Sequence, residues 1–455
     1  MAKYQAYTEY KDSCLEWLGE IPSHWKVKKL KYLGEAIIGL TYSPDDVVDE
    51  GEGTLVLRSS NIQNKKLAFE DNVYVRKEIP EKLRTQKNDI LICARNGSRA
   101  LIGKNALIDE SAEGVSFGAF MSIFRSEYNS YLSRVFNSAL FEYQSGTFLT
   151  ATINQLTTGN LNSFEVPLPP LTERNQISNF LDYETRKIDH LIEKQQQLIE
   201  LLKEKRQAVI SHAVTKGLDP NVPMKDSGVE WLGEVPEHWD VIAISKVTQK
   251  ITNGYVGPTR DILVEEGIPY VQATHIKKGK VNFDNAYFVR EKWSNDHAKS
   301  ILKKDDVLIV QTGAGTGDVG LVSESEEGFN CHALIILQPK KQQLSGSYLA
   351  YCLQSDYGYA TLYSIRTGGM HPHLNCGEVQ FVKISVPPLD EQVAISKFIE
   401  KNIQDFDQLI EKAKLAIQLM QERRTALISA AVTGKIDVRH WQEPTVAEAH
   451  TELSA

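Results

Sequence analysis

From Ile177 onward, apolar side chains return every three or four positions, or at multiples of that step: Ile177, Leu181, Ile188, Leu191, Leu198, Leu202 and Val209. Polar rungs stand at Glu184, Gln195 and Lys205, while Phe180, Ile192, Ile199 and Ile210 widen the stripe. This spacing predicts an amphipathic helix with a coiled-coil seam. No proline or glycine interrupts the stretch from Thr172 to Ala213. Pro169-Pro170 precede it and stiffen the approach, and Thr172 is placed to cap the first turn. A second ladder follows Pro387-Pro388 and runs through Ile395, Ile399, Phe406, Leu409, Ala413, Ala416, Met420 and Leu427. Two helices of about 42 residues, each roughly 60 Å long, are expected. Each alone would expose its apolar stripe. Pairing them antiparallel within the chain covers both stripes and carries the intervening domains to opposite ends; parallel pairing or dimerisation between chains is the alternative.

Between the helices the pattern is that of mixed α/β domains. Short runs rich in β-branched residues predict strands at Thr54–Leu57, Ile90–Ile92, Met121–Phe124, Ile268–Val271, Val307–Val310 and Ala333–Leu337. Helices are expected at Tyr131–Gln144 and Ser345–Ser355, with Gly- and Asn-rich turns between.

The chain repeats itself. Asp12-Ser13-Cys14-Leu15-Glu16-Trp17-Leu18-Gly19-Glu20-Ile21-Pro22, followed by His24-Trp25, returns 214 positions later as Asp226 to Pro236, followed by His238-Trp239. At an offset of 218, Val166-Pro167-Leu168-Pro169-Pro170-Leu171 answers Ile384-Ser385-Val386-Pro387-Pro388-Leu389, and Ala213-Val214-Thr215 answers Ala431-Val432-Thr433. Between these blocks the halves diverge, apart from markers such as Ile62 and Ile276, or Asp89 and Asp306. A duplicated frame thus carries two different cargoes.

Composition narrows the class. At 455 residues the chain is too long for a single core. No apolar run is long enough to span a bilayer, and the polar start has no secretory h-region. The five scattered cysteines suit a reducing cytoplasm. A net charge of −8 argues against a protein that coats nucleic acid everywhere. Two stretches nevertheless run against it: Arg58–Lys104 has 11 Lys/Arg against 5 Asp/Glu, and His275–Lys304 has 8 against 3. DNA responds to the local field as well as to the total charge, so matching basic stretches in both halves point to phosphate-facing surfaces; ordinary charge scatter on a solvated face is the alternative.

Side chains suited to base edges sit in matching loops. The first half offers Arg58, Ser60, Asn61 and Lys65, then Arg95, Asn96, Ser98 and Arg99; the second offers Gln272, Thr274, His275 and Lys277, then Gln311 and Thr312. Arginine can engage guanine bidentately, and Gln or Asn can do the same with adenine. Catalytic chemistry is not evident. Gly313-Ala314-Gly315-Thr316-Gly317-Asp318-Val319-Gly320 lacks the terminal Gly-Lys-Ser/Thr of a phosphate-binding loop. His371-Pro372-His373 has metal-like spacing without cysteine partners at zinc-finger distance. The Pro-Pro-Leu blocks lack the polar first and aromatic last residues of a base-methylating loop.

With the two Trp-Leu-Gly-Glu-Ile/Val-Pro-x-His-Trp openings, the two Pro-Pro-Leu-x-Glu exits and the repeated Ala-Val-Thr endings, the chain resembles the specificity subunits of type I restriction-modification systems over nearly its whole length. The resemblance implies α/β (mixed) recognition domains alternating with two long α-helices in an antiparallel coiled coil, a tandem duplication with pseudo-two-fold symmetry. The corresponding boundaries are residues 1–19, a segment completing a circular repeat; 20–168, the first recognition domain; 169–216, a central helical region; 217–233, a linker; 234–386, the second recognition domain; 387–434, a C-terminal helical region; and 435–455, a tail. It further implies a non-catalytic cytoplasmic subunit that binds double-stranded DNA, two modification subunits and the motor-nuclease subunits. S-adenosylmethionine, ATP and Mg2+ would belong to those partners, and no cofactor or metal to this chain. A helical scaffold with two protein-binding heads is the rival reading; it accounts for the helices but not for the paired basic stretches.

Overall fold

The computed structural model describes residues 4–148, 154–284, 287–368 and 373–444. Contacts divide the chain into two compact units, one made of residues 1–195 and 415–455, the other of 196–414.

The long helices span Leu171–Lys216 and Leu389–Val432. The first starts one residue earlier than Thr172 suggests. The Pro170 carbonyl accepts from the Glu173 and Arg174 amides, so Thr172 lies inside the first turn and does not cap it. Each helix is followed by a left-handed glycine, Gly217 (φ +78) and Gly434 (φ +73). At the second, Gly434 N–H donates to the Ala431 carbonyl and Lys435 N–H to that of Ala430, a Schellman closure.

Most predicted seam positions are buried: Ile177, Leu181, Ile188, Leu202, Ile395, Ile399, Phe406 and Leu427, with Met420 half-buried. Leu191, Leu198 and Leu409 depart from the seam and are 42%, 42% and 46% exposed. Ile199 and Ile410, one position further on, are buried instead, and Ile192 is half-buried beside Leu191. A helix with 3.6 residues per turn drifts by about 20° per heptad against a strict 3.5-residue count, so the buried face moves to the neighbouring position along its length.

In the first unit a four-stranded antiparallel sheet runs Asn105–Leu107, Ile90–Cys93, Met121–Arg125, Glu35–Ile38, with Ile90–Cys93 wholly buried. A second sheet runs Ser116–Phe117, Thr54–Leu57, Tyr74–Val75, Val47–Val48. The predicted helix Tyr131–Gln144 is two helices, Asn129–Phe136 and Ala139–Thr147, broken at Asn137-Ser138. The second unit repeats the plan with a six-stranded sheet centred on Leu334–Pro339 and Val307–Val310, and a four-stranded sheet containing Ile268–Val271. Its helix Gly346–Gln354 is followed by another, Asp356–Ser364, that the apolar pattern does not mark.

The repeated motifs grip one another inside each unit. Trp25, fully buried, donates its indole N–H to Glu173 Oε1 at 3.0 Å, and His24 Nε2 lies 2.7 Å from Glu173 Oε2. In the other unit Trp239 donates to Glu391 Oε1 at 3.1 Å, with His238 Nε2 2.9 Å from Glu391 Oε2. Tyr131 donates its hydroxyl to the Pro167 and Val432 carbonyls, as Tyr348 does to those of Ser385 and Val214. Glu173 also accepts from the Tyr7 hydroxyl, and Tyr7 in turn packs under the Arg439 guanidinium.

Candidate nucleic-acid interface

Two candidate stretches of the first unit converge. After the strand Thr54–Leu57 the backbone turns through a short 3-10 segment, Ser59–Asn61. Asn61, fully buried, closes this turn: its Oδ1 accepts from Arg58 N–H at 2.8 Å, and its Nδ2 donates to the Ala68 carbonyl and Asn72 Oδ1. The loop that leaves strand Ile90–Cys93 brings Arg95 and Asn96 alongside, and Asn96 Nδ2 donates to Ser59 Oγ at 3.3 Å. Together they border a cleft of about 760 Å³, which is also lined by Tyr42, Asp71 and Phe120. Arg58 Nη2 pairs with Asp71 at 3.0 Å, and the Arg95 guanidinium lies 5.3 Å from the Phe120 ring centroid.

Arg95, Ser98 and Arg99 are exposed, while Arg58, Ser60 and Asn96 are half-buried at the cleft. Ser98 and Arg99 are not among the lining residues. Lys65 goes elsewhere. It occupies a left-handed turn (φ +63) and donates its Nζ to the Asn137 carbonyl at 3.2 Å. Burial, reinforced by the Arg424 guanidinium, lowers its ammonium pKa. Asn61 and Lys65 therefore hold the loop, and their polar atoms are turned into the domain.

The second unit builds the same turn with different residues. His275, buried, accepts from Gln272 N–H through Nδ1 at 2.9 Å, as Asn61 does from Arg58. Thr274 and Lys277 are exposed and Gln272 is half-buried. Gln311 precedes the glycine-rich loop; its carbonyl accepts from Leu374 N–H at 3.0 Å, and exposed Thr312 bridges to His373. In the first unit the equivalent bridge joins Arg95 and Gln155. The glycine-rich loop folds on itself, with Thr316 N–H donating to the Gly313 carbonyl and the Thr316 carbonyl accepting from Arg366. His371 and Pro372 lie outside the described residues.

The units differ beside the cleft. A parallel bridge pairs Leu40 with Gly118 in the first unit, and Tyr255 with His332 in the second. There Tyr255 sits 5.0 Å from both Trp293 and His297, ring centre to ring centre, and Tyr270 Oη lies 3.3 Å from His332 Nδ1. Burial lowers the His332 pKa, which favours the neutral ring. Sequence reasoning missed Tyr42, Asp71 and Phe120, since isolated loop residues carry no periodic signal. It also missed the grip of Glu173 and Glu391, although the duplication of both glutamates together with both tryptophans was a usable sign.

Among the described residues no group of three or more His, Cys, Asp or Glu side chains is placed to hold a metal ion, and no helix is long and apolar enough to cross a membrane. Residues 22–201 and 236–419 match the family model described as the type I restriction modification DNA specificity domain. The chain belongs to that family. It is therefore a DNA-specificity subunit of a type I restriction-modification system, and not a catalytic one. Such systems combine DNA recognition with methyltransferase and restriction subunits. The specificity subunit is similar to the putative MjaX specificity subunit of Methanocaldococcus jannaschii, with 27% identity over 93% of this chain and 96% of the relative. It is similar to the EcoKI specificity subunit of Escherichia coli K12 at 22% identity, over 92% and 90%. A solved structure of a type I R-M system chain shares its fold, with a TM-score of 0.66 and 15% identity over 91% of this chain and 99% of the other.

Proposed function

We propose that each recognition domain reads one half of a split, asymmetric DNA site, and that the subunit presents this site to two modification subunits for adenine-N6 methylation and to motor-nuclease subunits for cleavage. The observation that carries the reading is a common frame with exchanged reading loops. The Trp–Glu grip and the tyrosine contacts recur in both units, whereas Arg58 becomes Gln272, Asn61 becomes His275 and Gly118 becomes His332. Equal frames suit two identical partners, and unequal loops suit two different half-sites.

An antiparallel coiled coil with pseudo-two-fold symmetry is part of this proposal. Its support is that each unit takes the first part of one long helix and the last part of the other. In the first unit Arg424 Nε donates to Asp189 Oδ1 at 2.8 Å, while Gln176 donates to the Trp441 carbonyl; residues rising in number along one helix meet residues falling in number on the other side. The domain boundaries at 20–168 and 234–386, flanked by helical regions at 169–216 and 387–434, follow from the same arrangement. The helices then act as the ruler that sets the unread spacer.

The test is adenine methylation mapped genome-wide in a methylation-free host that expresses this chain with its modification partner. A split asymmetric motif is the expected result. Folded, associated proteins that leave the genome unmethylated, or a motif without a spacer, would overturn the reading.

A further inference from the structure

The cleft of the first recognition domain has features that contact with an intact base pair does not require. At about 760 Å³ it lies within the range of roughly 300–1,000 Å³ typical of sites that enclose small molecules. An element that reads base edges in a duplex must project into a groove, whereas this one recedes into the domain. Hydrogen-bonding side chains border the cleft, Arg58, Ser60, Arg95 and Asn96, and these suit a ligand with polar edges. Phe120, 60% exposed, and Tyr42 offer ring faces, with Arg95 stacked over Phe120 and Asn96 beside it. Flat faces, polar edges and nearby guanidinium groups match a nucleobase carrying its phosphate.

We propose that this cleft receives a single nucleotide turned out of the duplex in the half-site read by the first domain. The inference rests on the proposed DNA-reading function and adds to it how one position is read. The second domain is built differently at the corresponding place. His332 stands where the first domain has Gly118, and Tyr255 where it has Leu40, their rings packed with those of Tyr270, Trp293 and His297. Extrusion is therefore confined to one half-site.

The experiment measures binding of the full chain, in complex with its modification partner, to duplexes containing the mapped site. Each base pair of both half-sites is weakened in turn by a mismatch that keeps the base on one strand and then on the other. Where a base must leave the stack, a mismatch removes the cost of unpairing it and binding tightens. The methylated adenines form a separate class and are scored apart. One further position, in the first half-site only, is expected to gain about tenfold, equivalent to about 1.4 kcal/mol. Phe120→Ala and Ser60→Ala should weaken binding and erase the preference for the extruded base, while Phe120→Tyr retains both. If the split site is bound specifically but no such position tightens, or if the gain survives both alanine substitutions, the extrusion proposal falls and the reading of split sites stands. If no sequence is bound specifically, both fall.

Discussion

Glu173 and Glu391 occupy equivalent positions, yet their removal should differ in cost. Glu173, with 5% of its side chain exposed, accepts from the indole of Trp25 and the hydroxyl of Tyr7, both buried. Glu391 has one buried donor, Trp239, and is itself 30% exposed. The histidines at both sites reach solvent and contribute little. A buried donor stripped of its acceptor costs about 1–3 kcal/mol. Glu173→Ala should thus destabilise its surroundings by about 2–6 kcal/mol, and Glu391→Ala by about 1–3 kcal/mol. A chain of two units is not expected to unfold in one step, so a single melting temperature would blur the comparison. Native-state hydrogen exchange resolves it, each 1.4 kcal/mol appearing as about a tenfold faster exchange. Glu173→Ala should accelerate peptides covering 20–30 and 171–180 clearly more than Glu391→Ala accelerates 234–244 and 389–398. Glu173→Gln, which keeps an acceptor, should fall between the alanine variant and the parent. Equal acceleration at the two sites, or none at the helix starts, would refute the reasoning.

Other expectations follow from the same contrasts. Arg95→Ala should relax the methylated motif in one half-site and Gln311→Ala in the other, read by methylation mapping; uniform loss at both would assign these residues to phosphate contact or folding. A seven-residue insertion at matched points of both long helices lengthens each by about 10 Å and should widen the spacer by up to about three base pairs without altering the half-sites. Asp89 is paired with Arg125 at 2.7 Å, whereas Asp306, with no ion pair within 4 Å among the described residues, accepts from the Gln338 amide and the Lys303 N–H. Burial raises the Asp306 pKa above its ordinary value of 3.8. The folded second unit therefore holds that proton more tightly than the unfolded chain does. Its stability should fall as pH rises from about 4 through the raised value. Asp306→Asn should flatten that dependence, measured by urea unfolding across pH, whereas Asp89→Asn should destabilise the first unit at neutral pH.

The helices were legible because burial along 44 or more residues imprints a period on the sequence. The departures at Leu191, Leu198 and Leu409 arise from counting in heptads along a helix that turns at its own pitch. The strands were legible for a similar reason: Ile90–Cys93 and Val307–Val310 are buried on both faces and read as unbroken apolar runs. Duplication identified the frame but not its contacts. That Trp25 and Glu173 are both repeated says that each is retained, not that one donates to the other across 148 positions. At the candidate interface, Asn61 and His275 have the composition of base readers, yet both face inward to brace a turn. An amide or imidazole serves either purpose, and only burial tells the two apart.

The first unit takes residues from both sides of the second in the chain order, and this bears on how the protein is made. The core that surrounds Trp25 and Tyr131 is completed by Leu427, Ile428, Ala431, Val432 and Ile436. Those residues leave the ribosome only after the whole second unit, roughly 220 residues and some tens of seconds later at typical synthesis rates. During that interval the first unit exists with part of its core uncovered, while the second can close as soon as it emerges. A nascent chain that stalls before residue 427 would carry one finished unit and one open one. Completion of synthesis itself thus decides whether both units have closed cores.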